Sequence, residues 1–165
     1  VTLISLGVVD IPYVDRETDA QARSRVKKNR RAAKPQPKTN TMSTGDVADI
    51  LEAQYHVMEI FAEHCEDDIM GYLETSLAGS LESIMQGGGN GPPPFAEAES
   101  AIKERFDRFI TQKEMDGLGY PGVPTKASLA GVSHRFKHPY ARRPSRPSFV
   151  DTGLWLASMV AEIEG

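Results

Sequence analysis

From Asp46 to Ser100 the chain carries twelve acidic residues and not one Lys or Arg. Helices built from such a block cannot neutralise themselves through i, i+4 ion pairs. Their acids must face water or meet cations supplied from elsewhere. Two other blocks hold those cations. Between Ala20 and Gly45 stand eight basic residues, Arg30 and Arg31 among them, and no acid. From Gly117 to Val150 come Lys126, Arg135, Lys137, Arg142, Arg143 and Arg146, again without an acid. Blocks of this kind pair with one another, with copies of the same chain, or with an external polyanion. Self-association needs no additional ligand and ranks first.

The acidic block is also the most periodic part of the chain. Ser43 or Thr44 can cap a helix, with Asp46 in its first turn, and Val47, Ile50, Leu51, Val57, Met58 and Phe61 recur at helical spacing. Ile69, Leu73, Leu77, Leu81, Ile84 and Met85 repeat the pattern. Glu66-Asp67-Asp68 suits the start of a second helix, so two are expected rather than one. The run Gly87 to Pro94 stops it. Without a Gly-Lys-Ser/Thr after it or a strand before it, that run is no phosphate loop. A third helix is expected from about Phe95 to Met115, with Phe95, Ala98, Ile102, Phe106, Phe109 and Ile110 on one face.

The ends of the chain read differently. Thr2 to Val14 is β-branched and apolar, giving one strand or two short ones. Residues 15–43 are basic, polar and proline-containing, an arm that cannot offset its own ordering entropy. Residues 117–147 form a long loop rich in Gly and Pro, an uncommon length unless it reaches a partner. Asp151 or Thr152 can cap a short helix to about Ser158, after which Met159, Ala161 and Ile163 alternate with polar neighbours as in a half-buried strand. The expected fold is α+β: about three amphipathic helices with a small sheet from the two chain ends. Three regions follow: strand or strands at 1–14, basic arm at 15–43, and helical core at 44–165.

At 165 residues, 39% apolar and 25% charged, the chain suits one domain with a real core. No apolar run is long enough to span a bilayer. The N-terminus lacks the basic lead of a signal peptide, so assembly in a cytoplasm is expected. The single cysteine, Cys65, excludes an intrachain disulfide and cysteine-based zinc sites, and reads as a small, partly buried helical side chain, with a bond between subunits open if two copies meet there.

Asp151-Thr152-Gly153 matches the triplet with which two chains of an aspartic protease can pair their carboxylates. Such an enzyme needs a β-rich scaffold and much chain after the triplet. Here helices precede it, about a dozen residues follow, and Leu154 replaces the usual small residue. A turn and helix cap anchoring Trp155 is the better reading. His134 and His138 stand four apart but in a proline-containing basic loop, and the carboxylates around His64 suit a solvated acidic face better than a cation site. Phe136, Tyr140 and Phe149 interleave with arginines as in single-strand binders. The acidic middle weighs against specific DNA recognition and leaves only passing contact with genomic DNA.

The segment Arg146-Pro147-Ser148-Phe149-Val150-Asp151-Thr152-Gly153-Leu154-Trp155-Leu156-Ala157-Ser158 resembles a pattern of tailed-bacteriophage neck and tail-completion (head–tail connector) proteins, in which Asp-Thr-Gly-Leu precedes a short helix. Two further stretches, 44–52 and 122–140, are similar to structural proteins of this kind. The resemblance implies a non-catalytic virion protein without cofactor or metal, in a ring that is commonly a hexamer. Its neighbours would be the portal or adaptor and the tail terminator or tail tube, with no membrane partner. The chain departs from that pattern by its basic arm, with Arg30 and Arg31, and by the Arg-rich approach of Arg142, Arg143 and Arg146; with Phe149, Asp151, Thr152, Gly153 and Trp155 these are the candidate residues for contact or structure. A tail terminator, an Asp151 protease dimer and a nucleic-acid-binding module are the alternatives.

Overall fold

The computed structural model describes residues 3–13, 42–88, 93–131, 144–150 and 153–164. The two chain ends meet. Strand β1 (Leu3–Val8) pairs antiparallel with β2 (Met159–Glu164), from Leu3 opposite Glu164 to Val8 opposite Met159. Val9 extends the pairing by donating its N–H to the Ser158 carbonyl, 2.8 Å. Two strands alone are not stable in water. These are held from one face, where Met159 is 1% exposed and the Ile163 N–H donates to Glu99 Oε1 at 3.1 Å.

Seven helices lie between the strands among the described residues. Ser43 starts α1 (Thr44–Tyr55) with a capping box: its hydroxyl accepts from the Asp46 N–H, and Asp46 accepts from the Ser43 N–H. The periodicity predicts one helix running on to the Glu66 region, but His56 breaks it with φ 50° and ψ 44° in the left-handed region. The next helix, α2 (Val57–His64), has no cap from His56 itself. Glu52, one turn back in α1, supplies it: its carboxylate accepts from the N–H groups of Met58 (2.8 Å) and Glu59 (3.2 Å). The orphan donors of the new helix are thus met by an anion at its positive end.

Helix α3 (Glu66–Met85) begins where the acidic triplet placed it. It closes in a Schellman motif, with Gly88 N–H on the Ser83 carbonyl (2.9 Å) and Gly87 N–H on Ile84 (3.0 Å). Gly87 has φ 85°, a value that glycine adopts without strain. The hydroxyls of Ser76 and Ser80 both donate to the Pro94 carbonyl, pinning the entry of α4 (Ala96–Thr111) against α3. The third expected helix is shorter than its pattern suggested. Lys113 turns left-handed at φ 63° and divides off α5 (Glu114–Gly117). The long basic loop contains one helical turn, α6 (Lys126–Ala130), capped by Thr125. The last helix, α7 (Leu154–Ala157), runs into β2. The architecture is therefore α+β, with more and shorter helices than three.

The core is aromatic. Phe61 meets Phe106 edge-on at 5.0 Å and Phe109 at 5.6 Å, and Phe106 meets Trp155 at 5.8 Å. Such contacts add roughly 0.5–1.5 kcal/mol each beyond their buried area. Val57, Ile102, Met115 and Met159 complete the interior. Cys65 is buried at the α2–α3 junction, and burial pushes its thiol pKa up. Beside it Arg105 of α4 holds Glu114 of α5 with two bonds (3.0 and 2.8 Å) and Asp68 of α3 with a third (2.7 Å). Three elements are tied by one guanidinium, whose pKa those carboxylates raise further.

Candidate functional site

Two regions of the described structure are candidates, and only one of them carries residues singled out by sequence. The first is the turn before the last helix. Residues 144–150 do not project; they are stitched to the body of the protein. Ser148 is 2% exposed. Its hydroxyl accepts from the Thr125 N–H (3.1 Å) and pairs with the Ser128 hydroxyl (3.2 Å). The Arg146 N–H donates to the Ser128 carbonyl, and the Lys113 ammonium to the Ser145 carbonyl and hydroxyl. Arg146 turns its guanidinium back onto the Val150 carbonyl and is half-buried. It closes its own turn more than it presents charge outward.

Phe149 has φ 65°, an uncommon conformation for an aromatic residue. Its ring packs against Tyr55 at 5.0 Å, holding the turn to the end of α1. Gly122 approaches that same Tyr55 so closely that an added Cβ would stand 3.2 Å from the ring. The left-handed Gly153, φ 75°, occupies the cap position of α7, and among the described residues no side chain caps that helix. The expected cap at Asp151 or Thr152 falls outside the described residues. Trp155, 3% exposed, is a core residue against Phe106. Its indole N–H meets no acceptor among the described residues. Arg30, Arg31, Arg142, Arg143, Asp151 and Thr152 lie outside the described residues, as do His134 and His138.

The second region is the base of the arm, whose closure the sequence pattern does not announce. Residues 9–13 and 42–44 run side by side. Tyr13 N–H donates to the Met42 carbonyl and Thr44 N–H to the Ile11 carbonyl, both at 2.9 Å, with a bridge between Pro12 and Ser43. Thr44 is fully buried there. Its hydroxyl donates to the Val9 carbonyl (2.6 Å) and accepts from the Ile11 N–H (2.8 Å). Gly45 N–H donates to Asp10 Oδ1 at 3.1 Å. The bond from Ser43, and then that from Gly45, hold the Asp10 carboxyl below its usual range. The basic segment consequently leaves and re-enters the body at one point. The polar pair Asp10 and Thr44 was the available signal, but nothing in sequence order shows that they meet.

Glu52, His56 and Glu59 bring three possible ligand atoms within 4.8 Å of one another on the outside of the α1–α2 bend. All three are already engaged in holding the bend. Glu52 caps α2, and His56 Nδ1 stands 2.8 Å from Glu59. His64, whose flanking carboxylates read in sequence as a solvated acidic face, lies against the Phe109 ring at 5.9 Å. Among the described residues no helix is long and apolar enough to cross a membrane. No protein-family model, curated protein or solved structure matches the chain.

Proposed function

We propose that this chain is a structural, non-catalytic component of the head–tail junction of a tailed phage. In this reading it is a ring-forming neck, collar or tail-completion protein between portal or adaptor and the tail. The observation that carries the reading is the pinched base of the arm. Eight cations between Ala20 and Gly45 issue from one point of a body whose helices α1 to α3 hold acids and no Lys or Arg. A cation-rich segment joined at one place to a body with acidic helices suits contact between successive copies. A contact of that head-to-tail kind closes into a ring when the rotation allows. The stitched segment 144–150 and the buried Trp155 of α7 act as the corner that leads into the last strand.

Immunogold labelling of phage particles tests this. Label at the junction between head and tail is the expected result. Label confined to the tail tip or capsid, or particles devoid of the chain, overturns it. A purified dimer with peptidase activity abolished by Asp151→Asn would instead establish the protease alternative.

A further inference from the structure

The small sheet leaves one edge open. Val9 donates its N–H to the Ser158 carbonyl, so the antiparallel register turns the backbone groups of Leu3, Ser5, Gly7 and Val9 toward β2. Those of Ile4, Leu6 and Val8 point the other way, along the outer edge of β1. Among the described residues none of them meets a hydrogen-bond partner. The edge of β2 is treated differently. Its outward Ile163 N–H donates to Glu99 Oε1, and Glu162 and Glu164 put charge into the strand. Charge and side-chain cover are what keep an edge from pairing with another chain. From Leu3 to Val9 there is neither a charge nor a proline. A two-stranded sheet is stabilised by a third strand, and an unguarded edge takes one through main-chain bonds.

The pattern of β1 decides the occupant, because β1 matches itself. Lay it antiparallel on a second copy with Leu6 at the two-fold axis. Ile4 then faces Val8 of the second copy and Leu6 faces Leu6, each such pair exchanging two main-chain hydrogen bonds. Their side chains, packed on the core from the inner face, continue that apolar face across the axis. On the outer face Leu3, 56% exposed, meets Val9, 50% exposed, and Ser5 meets Gly7. Apolar thus opposes apolar and small opposes small at every position. The nearest charge along the strand, Asp10, falls beyond Leu3 of the second copy. The basic segments of the sequence, with their Arg, Lys and Pro, suit such an edge poorly. We infer that β1 is a dimerisation strand: two copies join edge to edge in a four-stranded sheet ordered β2-β1-β1-β2. The contact is two-fold and does not rest on the ring reading. Where a head-to-tail ring also forms, it joins two rings face to face.

Ser5 and Gly7 supply the test, since position 5 of one copy opposes position 7 of the other. Both lie on the outer face, and a Cβ added at Gly7 meets nothing within 4 Å. Ser5→Lys with Gly7→Lys sets like charges opposite each other twice. Ser5→Lys with Gly7→Glu sets two ion pairs at the same places. Native mass spectrometry on serial dilution reads the association. The wild type and the lysine–glutamate variant are expected as dimers or larger even-numbered species. The double-lysine variant should bind itself about tenfold more weakly than the lysine–glutamate variant, or worse. Two added lysines bring the net charge of -4 nearer to zero, so general repulsion between copies cannot produce that loss. A wild type that stays monomeric when concentrated overturns the inference. So does a double-lysine variant that associates as well as the lysine–glutamate variant. Should a charged variant melt early, Ser5→Cys mixed with Gly7→Cys gives a crosslinked heterodimer on oxidation, while Cys65 is buried and takes no part. Failure of that mixture to crosslink refutes the contact. None of these outcomes depends on where the chain sits in a particle, so the junction reading stands or falls separately by the labelling experiment.

Discussion

Thr44 offers the sharpest test of how the arm base is built. Replacing it with Val keeps shape and removes one hydroxyl. That hydroxyl serves two partners, the Val9 carbonyl at 2.6 Å and the Ile11 N–H at 2.8 Å, and the residue is fully buried. The loss leaves an acceptor and a donor without their bonds, at about 1–2 kcal/mol each in a partly buried setting. Thr44→Val should therefore destabilise by about 2–4 kcal/mol, a sizeable part of the roughly 5–15 kcal/mol that holds a domain of ordinary stability. Thr44→Ser is the control. It keeps both bonds and gives up one methyl group, about 1 kcal/mol. Urea unfolding followed by circular dichroism measures both, and melting temperatures should fall by roughly 2–4 °C per kcal/mol. A Val variant within about 0.5 kcal/mol of wild type, or a Ser variant less stable than the Val variant, would refute the claim that the hydroxyl, and not the methyl, holds the strand exit to α1.

Further outcomes follow from the same geometry. Deleting Asp15 to Asn40 leaves Val14 and Thr41 as a two-residue turn between hydrogen-bonded Tyr13 and Met42; the core should fold, better still with Val14→Asn and Thr41→Gly, while ring-sized oligomers are lost. An unfolded deletion variant would show that the arm supports the core. Arg105→Met keeps the packing stem but leaves Glu114 and Asp68 unpaired; both carboxylates can still reach water, so unfolding should become easier by about 2 kcal/mol and not the full cost of a buried ion. The Asp10 carboxyl is lowered in the folded state, so its contribution is present above the unfolded pKa and fades as acid protonates the folded form. The gap in stability between wild type and Asp10→Asn should accordingly narrow as pH falls below about 4. Cys65 is 1% exposed with a raised pKa, so a disulfide reagent should label it only after unfolding; rapid labelling of native protein would contradict its burial.

Much of this was legible because short-range rules governed it. The Ser43 cap, the start of α3 at its three acids and the Gly87 stop are each written in a few adjacent residues. The alternation in Met159–Glu164 announced a half-buried strand, and the structure gives it Leu3–Val8 as partner. The misses have physical causes as well. His56 and Lys113 lack the glycine that marks most left-handed turns, so the helices they interrupt read as continuous. At His56 the break is secured by Glu52 reaching two amides in the next helix, a contact that periodicity does not encode. Arg146 reads as a surface cation, yet Val150 takes its guanidinium four residues on. The meeting of Tyr13 with Met42 depends on Thr44 finding Val9, a pairing set by tertiary packing rather than by local pattern.

The bond between Tyr13 and Met42 also has an evolutionary consequence. A segment whose two ends are already clasped adds little closure entropy as it grows, about 0.6 kcal/mol for each doubling of length. Insertions and deletions between those residues can accumulate while Thr44, Phe61 and Trp155 keep their surroundings. The body and the segment it clasps are thus free to change at different rates. A lineage could exchange one basic segment for another, matched to a different neighbour, without redesigning the fold that carries it.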